Sequence, residues 1–360
     1  MSLAFEDGVL RGRTDDLPSV LEAMDRRGLG AIALASPGGA LTGLVTDAAV
    51  RARLAAGPAE PLPTLEAVLD RAPPSLPITA SAEAVTAHLD ERRVRYAVAT
   101  DLAGRPAGLW AAHRLPGRAL LTEALIMAGG QGARLRPFTT SVPKPLLMVG
   151  ESPILEIIIR HLVRSGVSRI TLAVNYLSEK IRAYFQDGRN HGVELRYIEE
   201  REALGTAGAL RLLSPPESGS VLMMNADLLT DLNVRALADA HALSGAALTI
   251  GLVPHRVEIP YGVVHTEGTT VRGIAEKPTH AVWINGGIYA LGPDALAAVS
   301  DRGAMDMPAL IEKLLAAGSA VTAFPMRERW LDIGQLQDYQ RAVRDAVTIN
   351  AITPSEGAAT

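Results

Sequence analysis

Three glycines and three cations follow one apolar run. Residues 124–128 (ALIMA) lead into Gly129, Gly130 and Gly132, then Arg134, Arg136 and Lys144, with no acid between them. Glycines just beyond a strand let backbone N–H groups approach phosphate oxygens, and nearby cations spread the charge of an anion. A second apolar run, VLMMNAD (221–227), ends in Asp227. A carboxylate at a strand end is a hard ligand that suits Mg2+ together with phosphate oxygens. These residue types point to chemistry on phosphate groups.

Composition narrows the ligand. The net charge of −4 gives no general reason to bind nucleic acid or an anionic membrane, so the cations near Lys144 are a local feature and suit a small anion. The absence of cysteine excludes disulfides, thiolate zinc sites and cysteine nucleophiles. No apolar run reaches the roughly 18 residues that a membrane span needs. The expectation is a soluble, cytoplasmic protein with neither nucleic acid nor membrane as partner. With 360 residues, 48% of them hydrophobic, the chain can bury two cores.

The elements that must position these residues alternate. EALIM, RITLAVNY, VELRYIEE and SVLMMNAD read as strands. PILEIIIRHLVRSG reads as a helix ended by Gly166, and SEKIRAYFQDG as a helix with Ser178 as N-cap. GTAGALRLL and AMDMPALIEKLLAAG read as further helices. Strand and helix in alternation predict a doubly wound α/β sheet, with ligands beyond the C-terminal ends of its strands. The glycines, Asn175-Tyr176, Glu199-Glu200 and Asp227 all fall there.

The first 115 or so residues carry an internal repeat. SVLEAMDRRGLGAIALASPGGALTGLV (19–45) aligns with AVTAHLDERRVRYAVATDLAGRPAGLW (84–110), pairing Asp25 with Asp90 and Gly39 with Gly104. Each copy reads as helix, strand, glycine turn, strand, and two copies would pair to bury their sheets. This arrangement resembles a tandem pair of cystathionine-β-synthase (CBS) domains, modules that often bind adenine nucleotides. TGLVTDAAVRARL (42–54) matches the strand, turn and helix of such a module. The family's ribose-holding acid would stand at Ala49, with only Asp47 nearby, and the second copy lacks both the Thr and the acid. The resemblance implies a degenerate pair serving regulation or oligomerisation, so a homo-oligomer is expected.

The phosphate loop fails two familiar patterns. A Walker A loop needs Gly-Lys-Ser/Thr, and no lysine comes before Lys144. A dinucleotide loop needs a third glycine where Leu135 stands. A third pattern fits: GGQGARLRPFTTSVPKPLLMVG resembles the phosphate loop of the nucleotidyltransferases that make nucleoside-diphosphate sugars. The resemblance continues in order through LGTAGAL (204–210), NADLLT (225–230), YGVV (261–264), EKP (276–278), NGGIY (285–289) and WLDIG (330–334). It is nearest to the branch of mannose-1-phosphate guanylyltransferases and their CBS-fused relatives.

The resemblance implies a Rossmann-like, GT-A-like mixed sheet over 119–348 and a CBS-pair domain over 1–118; the tail over 349–360, with TPSEGAAT, is expected to be disordered. It also implies nucleotidyl transfer from a nucleoside triphosphate to a sugar-1-phosphate or a sugar-like cyclitol phosphate, with Mg2+ as cofactor. Ala128, Gly129, Gly130 and Gly132 would cradle the triphosphate, with Arg134 on the leaving pyrophosphate and Lys144 near the reacting phosphate. Arg136 suits a rim position and a phosphate contact equally. Asp227 and Asp332 would hold the metal. Glu200, Gly205 and Thr206 would line the base pocket. A carboxylate can accept guanine N1–H and N2–H2 together, which favours GTP over ATP, UTP, dTTP or CTP. Tyr261, Gly262, Glu276 and Asn285 would meet sugar hydroxyls, and Lys277 the sugar's phosphate. A reading of another class stays open: a regulatory protein that senses a nucleotide and whose transferase-like part only binds.

Overall fold

The computed structural model describes residues 7–12, 16–115, 121–200, 202–217, 219–300 and 302–345. The segment expected as a disordered tail lies outside the described residues.

Seven strands form the principal sheet: β1 (Glu123–Met127), β2 (Arg169–Val174), β3 (Glu194–Glu199), β4 (Val221–Asn225), β5 (Leu248–Glu258), β6 (Thr279–Leu291) and β7 (Val321–Pro325). Their order is β3-β2-β1-β4-β6-β5-β7. β3, β2, β1 and β4 run parallel, β6 is antiparallel to both β4 and β5, and β7 is parallel to β5. The expected doubly wound mixed sheet is therefore present. Chain order reverses between β1 and β4, which opens a crevice beyond their C-terminal ends. Met127 pairs with Asn225, so the two strands end level and the glycine loop starts beside Asp227.

Both faces of the sheet are covered at its centre, which explains why β1, β2 and β4 are apolar without alternation. Ala124, Ile126, Leu222 and Met224 face one core with Ile154, Leu155 and Ile158. Leu125, Val221 and Met223 face the other with Leu248, Met307 and Leu310. Burying each large aliphatic side chain stabilises the fold by roughly 1.5–3 kcal/mol, so β1 and β4 form a stiff base for the loops that leave their ends.

Local expectations fare unevenly. The helix Ile154–Arg164 forms and stops at Gly166, whose φ is +100°. Ser178 opens the helix Ser178–Phe185 but does not cap it; Leu177 occupies the cap position at φ +52°. GTAGALRLL is helical but short: one α-helical turn, Gly205–Gly208, runs into a 3-10 turn, Ala209–Leu212. Two glycines, each costing about 1 kcal/mol in a helix, account for that.

The internal repeat exists as structure. One copy has strand Val9–Arg11, helix Leu17–Arg27 and the antiparallel pair Ala31–Ala35 and Leu41–Thr46. The other has strand Ser75–Pro77, helix Ala82–Glu91 and the pair Tyr96–Thr100 and Pro106–Ala111. In both, the first strand lies parallel to the third element. Left-handed backbone recurs at equivalent places, Gly28 with Arg93 and Gly39 with Gly104. No helix among the described residues is long and apolar enough to cross a membrane.

Candidate active site

The glycine loop leaves β1 at Ala128, whose N–H is bonded to Ala173 O at 2.8 Å. At Gly129 an added Cβ would stand 2.7 Å from Glu200 Oε2 and 3.2 Å from Asn175 Cβ, so the loop lies directly against the ends of β2 and β3. A Cβ on Gly130 would meet nothing within 4 Å, which puts this part of the loop toward open space. Gly132 has φ +60°, and a Cβ there would stand 3.0 Å from Thr139 Cγ2 and 3.1 Å from Lys144 Cβ. No helix starts at the glycines. A single 3-10 turn, Ala133–Leu135, follows, and Leu135 plugs into the core. The absent third glycine is thus explained: that position anchors the loop instead of packing a helix on a strand.

Gly132→Ala should cost about 1–2 kcal/mol of stability, the cost of left-handed backbone in a residue with a side chain. A urea denaturation midpoint measures it, and a midpoint equal to the wild type would contradict this account of the loop.

Lys144 is buried and forms an ion pair with Asp227 Oδ2. Pro143 and Pro145 flank it in the turn Lys144–Leu146 and restrict its backbone. Asp227 Oδ1 is also buried but has no hydrogen-bond partner. Asp332 arrives by a short ladder in which Leu228–Thr230 pairs antiparallel with Trp330–Asp332, and Ile333 N–H donates to Asp227 O at 3.0 Å. The ladder therefore brings the two carboxylates near enough for their charges to interact. Burial, then the charge of Asp227, pushes the Asp332 carboxyl above its ordinary value, while Lys144 and Arg134 pull it down. Arg134 is exposed on the loop but acts on the same group, so the structure brings Arg134, Lys144, Asp227 and Asp332 together.

Glu200 is buried at the end of β3. Burial raises its carboxyl, and a hydrogen bond from Leu204 N–H opposes that. Gly205 and Thr206 turn toward another segment. A Cβ on Gly205 would stand 2.6 Å from Met305 O. Thr206 N–H donates to Asp306 Oδ1 at 2.9 Å, and Thr206 Oγ1 accepts from Met307 N–H at 2.9 Å. Thr206, not Asp306, therefore caps the helix Met307–Ala316.

Tyr261, Gly262, Glu276 and Lys277 flank the exposed hairpin of Val263–Glu267 and Thr270–Ala275. Glu276 Oε2 lies 3.0 Å from where a Cβ on Gly262 would stand, so that glycine makes room for the carboxylate. Tyr261 is 74% exposed. Asn285, on β6, accepts from Gly287 N–H at 3.0 Å. A Cβ on Gly287 would stand 2.8 Å from Asn225 Nδ2, so the glycine lets this strand run close to the end of β4.

Sequence reasoning placed Asn175 and Tyr176 at a strand end but missed that they support the loop. Asn175 Nδ2 donates to Glu200 O at 2.6 Å, and Tyr176 hydroxyl donates to Thr140 O at 3.0 Å. The only signal was a polar pair directly after an apolar strand.

Comparison with known proteins agrees with this fold. The family model described as Nucleotidyl transferase matches residues 123–348. A UTP–glucose-1-phosphate uridylyltransferase of Synechocystis is 31% identical over 246 residues, covering 63% of this chain and 63% of the relative. A mannose-1-phosphate guanyltransferase of Yarrowia lipolytica is 36% identical over 231 residues, covering 60% and 62%. The chain thus spans less than two thirds of the length of these relatives. Among solved structures, HddC of Yersinia pseudotuberculosis shares the fold at a TM-score of 0.50 and 24% identity, over 62% of this chain and 99% of that one. A putative glucose-1-phosphate thymidylyltransferase of Bacillus anthracis does so at a TM-score of 0.51 and 23% identity, over 62% and 94%. The match runs from the first residue of β1 past Asp332, through the glycine loop and both carboxylates, and the chain belongs to the nucleotidyl transferase family.

Proposed function

We propose that this protein joins a nucleoside triphosphate, preferably GTP, to a sugar-1-phosphate or a sugar-like cyclitol phosphate. An oxygen of the 1-phosphate attacks the α-phosphorus. The bond from the α-phosphorus to the bridging oxygen breaks, and pyrophosphate leaves. The nucleophile is already anionic at neutral pH, so the work is positioning and charge stabilisation, not proton removal. The observation that carries this reading is the group of Lys144, Asp227 and Asp332 at the switch point, beside a glycine loop that faces open space at Gly130.

The donor set fits Mg2+. Asp227 Oδ1 is buried with no partner, the charge of Asp227 bears on Asp332, and Mg2+ takes one or two carboxylates plus phosphate oxygens. When bound, the ion would neutralise charge building up on the phosphates. Lys144, paired with Asp227, would meet the same phosphates. Arg134 serves the leaving pyrophosphate, and Gly129, Gly130 and Gly132 offer N–H donors. Tyr261, Glu276, Lys277 and Asn285 take the sugar phosphate. The repeat of residues 1–118 is a degenerate CBS pair for assembly or regulation, and the protein works in the cytoplasm.

Support for the activity also comes from relatives whose names give uridylyl and guanylyl transfer to sugar phosphates. The test is pyrophosphate release with four nucleoside triphosphates, a panel of sugar-1-phosphates and Mg2+. Release with GTP and one sugar phosphate is expected; none from any pair would overturn the proposal. In the same assay Glu200→Gln should lower kcat/KM for GTP about tenfold or more, as hydrogen bonds to a charged group are worth roughly 1.5–3 kcal/mol. Unchanged selectivity would remove Glu200 from base recognition.

A further inference from the structure

The strands that carry the two acids have a second end, and that end is held by the N-terminal repeat. Glu328 lies just before the strand Trp330–Asp332, and Asn233 just after Leu228–Thr230. Arg51, on the helix Asp47–Leu54 of the first repeat, reaches across to this end. Its guanidinium has all five N–H donors occupied. Nε donates to Asp47 Oδ2, and one terminal nitrogen donates to Asp47 Oδ1 at 3.0 Å and Glu328 Oε1 at 2.5 Å. The other donates to Pro325 O at 2.5 Å and Glu328 Oε2 at 3.3 Å. The same group stacks on Phe324, 3.8 Å from the ring centre.

Neighbouring contacts fix the same segment. Arg327 holds Asp25 at 2.8 Å, Asn233 Nδ2 donates to Leu29 O at 3.0 Å, and Arg235 donates to Gly28 O at 3.2 Å. Arg329 joins the two strands through Asp231 at 3.1 Å. Side chains of Arg51, Asp47 and Glu328 are all under 6% exposed. Burial opposes charge on Glu328, yet Arg51 and Arg327 hold it down to about 2, so it stays ionised.

We propose that Arg51 is a positioning residue for Asp332: through Glu328 and Pro325 O it fixes the start of the strand that aims this carboxylate at Asp227. The inference rests on the reading of Asp332 as a metal ligand. A carboxylate close to another of like charge is pushed away unless its backbone is held, and an ion needs both within a narrow geometry. The fork of Arg51 supplies that hold in a direction no lysine can copy, because an ammonium lacks the planar five-donor pattern. Catalytic geometry then depends on a side chain from the repeat that touches no substrate.

The test uses the full chain and Mg2+ as probe, reading both the rise in Tm with Mg2+ and the Mg2+ dependence of pyrophosphate release. Arg51→Lys should raise the half-saturating Mg2+ about tenfold in both readouts, the lower end of what losing an outer support costs a metal site. KM for the sugar phosphate should stay the same. Glu328→Gln, which keeps shape and one acceptor, should give the same shift and carries the comparison if Arg51→Lys does not fold. A folded variant with lower Tm but wild-type Mg2+ half-saturation would overturn the proposal and leave Arg51 a structural residue. Asp332→Asn is the control for the underlying reading. If wild-type Tm ignores Mg2+, or Asp332→Asn keeps the full response, the metal reading fails first and takes this one with it.

Discussion

Asp227→Asn should lower turnover by about a thousandfold or more with the fold intact. Asparagine keeps the shape of the side chain at the end of β4 and can still accept a hydrogen bond from Lys144. What it loses is charge. The ion pair with Lys144 Nζ goes, and the buried, unpartnered Oδ1 no longer offers an anionic ligand. Removing one preorganised electrostatic contact from a closed site costs roughly 10²–10³ in rate. Asp227 serves two partners, so its loss belongs at or beyond the upper end. Circular dichroism and Tm check the fold, and steady-state kinetics the rate. Turnover within tenfold of wild type would remove Asp227 from the chemistry.

Asp332→Asn should lower turnover at least a hundredfold and yet make the metal-free protein more stable at neutral pH. The folded state raises this carboxyl, first by burial and then by the charge of Asp227. A raised group contributes stability below its unfolded value, and that contribution is lost as pH rises through the folded value. At neutral pH the ionised carboxylate therefore strains the fold, and the neutral amide does not. The Tm of the variant should exceed that of wild type near pH 7 and converge with it at acid pH. Mg2+ should raise the wild-type Tm and narrow the gap, because it binds only the charged form. A variant less stable than wild type at neutral pH without metal would contradict the description of this pair. Stability given up at a functional site is the expected pattern where like charges must be held together for a ligand.

What could be read in the sequence depends on the range of the interactions. β1, β2 and β4 were legible because buried parallel strands leave apolar runs, and β3, at the sheet edge, because apolar residues alternate with polar ones. Asp227 was legible as an acid closing one of them. Leu135 could be seen to break the dinucleotide pattern, but not why: its burial beneath the loop needs the fold. The segment from Gly205 was legible as helical, but not its shortness: one α-helical turn passes into a 3-10 turn. Thr206 was assigned to the base pocket, yet its polar atoms are used by Asp306 and Met307. Ser178 sits one place late to be a cap. Least visible was the hold of Arg51 on Glu328, since Arg51 sits in the helix of the repeat, Glu328 belongs to no motif, and only tertiary packing brings them together.

The most direct measurement tracks the label from GTP carrying ³²P at the α-position, incubated with Mg2+ and the sugar-1-phosphate that supports release. The account predicts that all transferred label enters the nucleoside-diphosphate sugar and that the pyrophosphate is unlabelled. Label found only in unreacted GTP, or in GMP or GDP with no sugar nucleotide formed, would contradict it.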